Sequence, residues 1–200
     1  MKKVVLCGIG GQGILLASSI IGNTLTSKDI PVVVSEVHGM AQRGGEVVST
    51  MSMGGYRGAI AGLGEADVLV GFEPGETYKR LSLVSKEGVV ITNTCAIEPP
   101  TVFLGLSKYS PVDELIEKMR TVAKRVVAIN ANDLAYEAGS IIAANIVLLG
   151  ALARTGVLPV SREDMIQGIK ERVPPKFLEL NLKAFELGYK AAGEQLEKSN

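Results

Sequence analysis

Six residues near the start of the chain, Gly8-Ile9-Gly10-Gly11-Gln12-Gly13, can do chemistry through the backbone alone. The glycines at 8, 10 and 13 fit the G-x-G-x-x-G spacing of dinucleotide-binding turns. Such glycines let the chain turn sharply and let a phosphate come close without meeting a Cβ. Free N–H groups opening the next helix, together with its dipole, favour an anion at the same place. A tight helix–strand turn holding no ligand is the plain structural alternative.

A second stretch, Ser35-Glu36-Val37-His38-Gly39-Met40-Ala41-Gln42-Arg43-Gly44-Gly45, holds the other candidates. Glu36 follows the turn at close to the spacing, about 20 residues, of an acid that binds a ribose 2′-hydroxyl. A solvated strand end explains it equally well. Arg43, set among small residues, suits a bidentate contact to an anion, against the bland reading of a surface arginine. Gly44 and Gly45 give its loop the freedom to close on a ligand or partner. His38 is the single imidazole of the chain, hence the one side chain with an ordinary pKa near neutrality. No base or nucleophile accompanies it, so an orienting or structural role outweighs catalysis. Asn145, inside an apolar helical run, must find hydrogen bonds if it is buried and reads as structural or interfacial.

Other chemistries lack their residues. There is no G-x-S-x-G elbow, and no lysine follows the glycines as a P-loop requires. The two cysteines, Cys7 and Cys95, lie in or just after strand-like runs and read as buried free thiols. They are too few for a four-cysteine iron–sulfur cluster, and a single histidine leaves no metal-ligand spacing. The 21 basic and 21 acidic side chains balance, which points away from nucleic acid and from a membrane surface. With 4% aromatic residues and no Trp, a base-stacking platform is not expected either. Met1-Lys2-Lys3 leads straight into an apolar run with no signal region ahead of it, and the apolar run Ile141–Ala153 is shorter than a bilayer span. The expected location is the cytoplasm.

The elements that must position these residues follow from periodicity and punctuation. Lys3–Ile9 reads as a buried strand, and Gln12–Leu25 as a helix apolar on most of its circumference, covered by the sheet and by a partner. Ile30–Glu36 is β-branched enough for a parallel strand buried on both faces. Glu46–Met53 and Tyr56–Ile60 flank Gly54-Gly55 and read as a hairpin. Further strands are expected at Ala66–Phe72, Gly88–Asn93 and Arg125–Ile129, with a helix over Gly75–Val84. Ser110 reads as the N-cap of a helix ending near Lys124, Asn130 as the cap of the next, and Ser161 as the cap of Arg162–Arg172. Helices over Ile141–Arg154 and, after Pro174-Pro175, Lys176–Leu196 close the chain. Strands alternating with helices, then helices alone, make an α/β fold. Its expected form is a Rossmann-like, doubly wound, mostly parallel sheet with an inserted β-hairpin. All 200 residues read as one domain whose C-terminal part is helical from about residue 140.

With these strings in view, the chain resembles the gamma-type domain of 2-oxoacid:ferredoxin oxidoreductases, and most closely its indolepyruvate (arylpyruvate) branch. Gly8–Gly13 together with Ser35–Gly45 carries the likeness. Gly64–Leu69, Phe72-Glu73-Pro74, Asn93-Thr94, Asn145–Gly150 and Asn181–Tyr189 extend it over nearly the whole chain. The resemblance implies a non-cofactor subunit, inactive alone, of a complex that oxidatively decarboxylates a 2-oxoacid to an acyl-CoA and passes electrons to ferredoxin. It implies a large partner subunit carrying thiamine diphosphate, magnesium and the iron–sulfur clusters. For this chain it implies roles in assembly and in covering the active site, with coenzyme A as the candidate ligand. The candidate cofactor-binding residues are Gly8, Gly10, Gly11, Gln12, Gly13, Ser35, Glu36, Arg43, Gly44 and Gly45; the catalytic candidate is at most His38, and no metal ligand is expected. Homodimerisation of the isolated chain stays open. So do two rivals, a stand-alone NAD(P)-dependent dehydrogenase and a purely structural interaction module.

Overall fold

Lys2–Ile9 forms strand β1, in which Val4 and Leu6 face one side of a sheet and Val5 and Cys7 the other, all fully buried. The computed structural model describes residues 2–39, 45–55 and 58–198. After β1 come α1 (Ile14–Thr26), β2 (Val32–His38), β3 (Glu46–Met53), β4 (Ala66–Gly71), α2 (Pro74–Lys79) and β5 (Val84–Asn93). Then follow the short α3 (Pro100–Phe103), α4 (Val112–Val122), β6 (Arg125–Ile129), α5 (Ala131–Ala138), α6 (Ala144–Arg154), α7 (Arg162–Arg172) and α8 (Leu178–Lys198). Single 3₁₀ turns at Leu81–Leu83, Ile141–Ala143 and Pro175–Phe177 lead into β5, α6 and α8.

The strands make one sheet in the order β2-β3-β1-β4-β5-β6. β1, β4, β5 and β6 are parallel, whereas β3 runs antiparallel to both β1 and β2. Leu6 thus faces Ser49 on one side and Val70 on the other. Helices cover both faces. On one, Ile14, Ala17, Ile20 and Ile21 of α1 pack with α6, α7 and α8. On the other, Leu81 and the α4 residues Leu115 and Met119 pack on Val5, Leu69 and Val90. Each fully buried large side chain contributes roughly 1.5–3 kcal/mol.

Two glycines set the geometry of the helical part. A Cβ on Gly150 of α6 would lie 2.0 Å from the Phe185 carbonyl oxygen, and one on Gly188 of α8 would lie 1.9 Å from that of Val147. α6 and α8 therefore touch backbone to backbone, which fixes α6 rigidly behind the sheet.

Several expectations are corrected. β2 is not buried on both faces: β3 intervenes between it and β1, leaving β2 at the sheet edge with Val33, Val34 and Val37 exposed. β-branched residues favour a strand without dictating its place in the sheet. The hairpin is formed by β2 and β3. Residues 58–60 carry no strand, and Tyr56 and Arg57 lie outside the described residues. The cap of α4 is Pro111, extended at φ −52° and ψ 138°, not Ser110. Asn130 and Ser161 do cap their helices, Ser161 in a reciprocal box with Asp164. The sheet side of α1 is buried, while Leu15 and Leu16 are exposed on the face expected to meet a partner. Cys7 is buried, but Cys95, just past β5, is only half-buried. Among the described residues, no helix is long and apolar enough to cross a membrane.

Candidate functional site

The carboxyl ends of β1, β4, β5 and β6 meet along one rim of the sheet, where open α/β folds bind ligands. Side-chain amides stitch this rim together. Gln12 accepts from the Ile9 N–H at 2.7 Å and donates to the Phe72 carbonyl, at the end of β4, at 2.9 Å. Asn93, at the end of β5, donates to the same carbonyl at 3.2 Å and to Asn132 Oδ1 at 3.0 Å. Its own oxygen accepts from the Cys95 and Ala131 N–H groups, so every hydrogen-bonding position of Asn93 is used. Asn145 donates to the Gly13 carbonyl at 3.3 Å.

Within the glycine turn the residues divide the work. A Cβ on Gly8 would lie 2.6 Å from Gln12 Oε1 and 2.7 Å from Phe72 Cβ, and one on Gly13 would lie 2.5 Å from Asn145 Nδ2. These two glycines admit neighbouring protein side chains. The Gly10 N–H donates to the Gly45 carbonyl at 2.8 Å, tying the end of the β2–β3 loop to the turn. Gln12 is folded back into the turn by its own two bonds. Gly11 differs from all of them: at φ +103°, a Cβ there would meet nothing within 4 Å. The left-handed backbone leaves open space above its peptide.

Directly beyond lies the start of α1. Its cap is Gly13, no side chain caps it, and its first turn holds no acid. Its first N–H groups therefore remain available to an anion. The start of α6 also lacks a side-chain cap. Between the two helix starts runs a groove of about 350 Å³, bounded by Gly11, Gly13, Asn145, Ile142, Pro174 and Phe177. It is mainly apolar with an amide rim. Gly11 lies at its edge, in open space.

A second cavity, of about 570 Å³, opens on the other side of the turn around Ile9, Glu73, Tyr109, Lys79 and Lys108. Glu73 is buried and accepts from the Glu76 N–H at 2.7 Å, the Ile97 N–H at 3.3 Å and the Tyr109 hydroxyl. Burial, then the bond to Glu73, pushes Tyr109 well above the ordinary tyrosine range. Burial likewise pushes the Cys7 thiol far up, which makes it a poor nucleophile.

The structure brings together Gly8, Gly10, Gly11, Gln12, Gly13 and Gly45. It does not bring Ser35, Glu36 or His38 to them. These stand on β2 beyond β3, about two strand spacings, roughly 10 Å, from β1. An acid on the strand next to the turn is what a ribose contact needs, and here that neighbour is the antiparallel β3. Arg43 and Gly44 lie outside the described residues. Asn93 stands at a strand end where a site is expected, but Asn132 and the phenol of Tyr109 were not readable as site residues. Asn145 carried a signal, a lone amide in an apolar helix; Tyr109 carried none. Two cysteines of which one is fully buried do not fit an iron–sulfur cluster.

Residues 3–191 match the pyruvate ferredoxin/flavodoxin oxidoreductase family. The chain is 41% identical over 192 residues to indolepyruvate oxidoreductase subunit IorB of Methanothermobacter thermautotrophicus, covering 96% of this chain and 98% of that one. It superposes on the gamma subunit of a keto/oxoacid ferredoxin oxidoreductase from Geobacter sulfurreducens with TM-score 0.71 and 27% identity, over 97% and 99% of the two chains. The same fold, at 18% identity and TM-score 0.70, forms part of the longer 2-oxoglutarate:ferredoxin oxidoreductase of Magnetococcus marinus, where 96% of this chain covers 31% of that one.

Proposed function

The chain belongs to the pyruvate ferredoxin/flavodoxin oxidoreductase family, and we propose that it is the non-cofactor subunit of an indolepyruvate-type 2-oxoacid:ferredoxin oxidoreductase. The observation that carries this reading is the match to an indolepyruvate oxidoreductase subunit over 96% of this chain and 98% of that one. The reaction is the oxidative decarboxylation of a 2-oxoacid to an acyl-CoA, with electrons delivered to ferredoxin. A large cytoplasmic partner subunit supplies the thiamine diphosphate and magnesium for decarboxylation and the iron–sulfur clusters for electron transfer.

This chain's part is binding and cover. The open Gly11 peptide and the uncapped start of α1 would hold a phosphate of coenzyme A. Coenzyme A is held in the structure of the Magnetococcus marinus enzyme. The end of the β2–β3 loop is tied to the turn through Gly45 and Gly10, and a guanidinium such as that of Arg43 is suitable chemistry for the same phosphate. Gln12 and Asn93 hold the rim in register while the ligand binds. The exposed Leu15, Leu16 and Ile142 beside the groove would meet the partner and keep water from the reacting centre.

Co-expression with a large subunit of this family tests the assembly. Co-elution as one complex of fixed stoichiometry is expected. Two separate species at micromolar concentration would contradict the assignment.

A further inference from the structure

We propose that Asn145 is itself a binding residue of the glycine-turn site, with one amide hydrogen holding the Gly13 carbonyl and the other offered to an anionic phosphate oxygen in the groove. The inference rests on the reading of that turn as the coenzyme A site.

Asn145 is only 4% exposed, in a helix whose next residues, Ile146, Val147, Leu148 and Leu149, are all buried and apolar. A polar group in such a place must be partnered or it is costly. Its Oδ1 accepts from the Ile146 N–H at 2.9 Å, and its Nδ2 donates to the Gly13 carbonyl at 3.3 Å. These bonds fix the orientation of the amide, because flipping it would set oxygen against oxygen at Gly13. An asparagine amide has two N–H donors. Among the described residues Nδ2 finds one acceptor, and Asn145 lines the 350 Å³ groove beside Gly11 and Gly13.

The same contact orients the turn. The Gly13 carbonyl also accepts from the Ala17 N–H at 3.1 Å, the first turn of α1. Held from two sides, it keeps the N–H of its own peptide unit, that of Ile14, directed out of the helix start. Behind Asn145, the backbone contact of α6 with α8 at Gly150 and Gly188 gives the donor a rigid mount. The start of α1 and the amide of α6 thus border one groove, a setting suited to a phosphate ester.

The test is steady-state kinetics of the assembled oxidoreductase with coenzyme A as the varied substrate. Asn145→Asp keeps the size and replaces the donor by a carboxylate, so KM for coenzyme A should rise by about tenfold or more, with a smaller change in kcat. Asn145→Ala decides the matter if the buried aspartate prevents assembly, and should raise KM by about threefold to tenfold. Gly11→Ala meets no neighbour but strains the backbone at φ +103°, and so perturbs the turn independently of Asn145. A rise in KM for Gly11→Ala but not for the Asn145 variants, which then only melt earlier, would overturn the role of Asn145 and leave the coenzyme A site standing. No rise in any variant would overturn the site, and the inference with it.

Discussion

The side-chain amide of Asn145 donates to the carbonyl oxygen of Gly13 at 3.3 Å, joining the start of α6 to the start of α1 across 132 positions of sequence. Gly13 has φ +75°, and a Cβ there would sit 2.5 Å from the Asn145 nitrogen. Gly13→Ala therefore strains the backbone and displaces the amide together. A loss of about 1–3 kcal/mol in denaturant unfolding is expected. KM for coenzyme A in the complex should rise at the same time. A variant as stable as the parent would show that the contact does not constrain the turn.

Gly150 and Gly188 make a stronger prediction. Any side chain at either position meets backbone, which cannot rotate away as a side-chain end can. Gly150→Ala and Gly188→Ala should each cost about 3 kcal/mol or more and lower the yield of folded chain, with α6 and α8 forced apart. Circular dichroism melts of the two variants check this.

Tyr109 should be among the last tyrosines to ionise. Its phenol is held up by burial and by the bond to Glu73. A phenol whose pKa is raised by folding stabilises the fold below the unfolded value, near 10.0, and loses that contribution as pH climbs toward the folded one. Tyr109→Phe should flatten the decline of stability above about pH 10. Ultraviolet titration should show one late-ionising tyrosine fewer than in the parent.

Asp164 contributes on the acid side. Its hydrogen bond to Lys28, then its bonds to Ser161, lower its pKa from 3.8 to about 2. The stabilisation is present above the unfolded value and disappears as pH falls from about 4 to about 2. Asp164→Asn should make unfolding less pH-dependent in that window, read as a flatter plot of denaturation midpoint against pH.

Much of the fold was legible because it is written in local pattern. The apolar run Lys3–Ile9, the Asn130 and Ser161 caps and the strand Arg125–Ile129 stand where periodicity and capping chemistry put them. The place of β2 was not legible. Val32, Val33 and Val34 favour an extended backbone at an edge as they do at a centre, and the insertion of β3 beside β1 depends on contacts distant in sequence. The spacing from Gly13 to Glu36 accordingly suggested a ribose contact that the intervening strand does not build. At the site, the glycines could be found, but not which of them makes room for a protein side chain and which faces open space. Gly8 and Gly13 make room for Gln12, Phe72 and Asn145, and only their three-dimensional neighbours distinguish them from Gly11.

The most direct measurement is arylpyruvate-dependent, coenzyme A-dependent reduction of ferredoxin by the purified large subunit, with and without this chain added back. The account predicts little turnover by the large subunit alone, restored on addition of this chain in stoichiometric amount. Identical turnover in its presence and absence would contradict it.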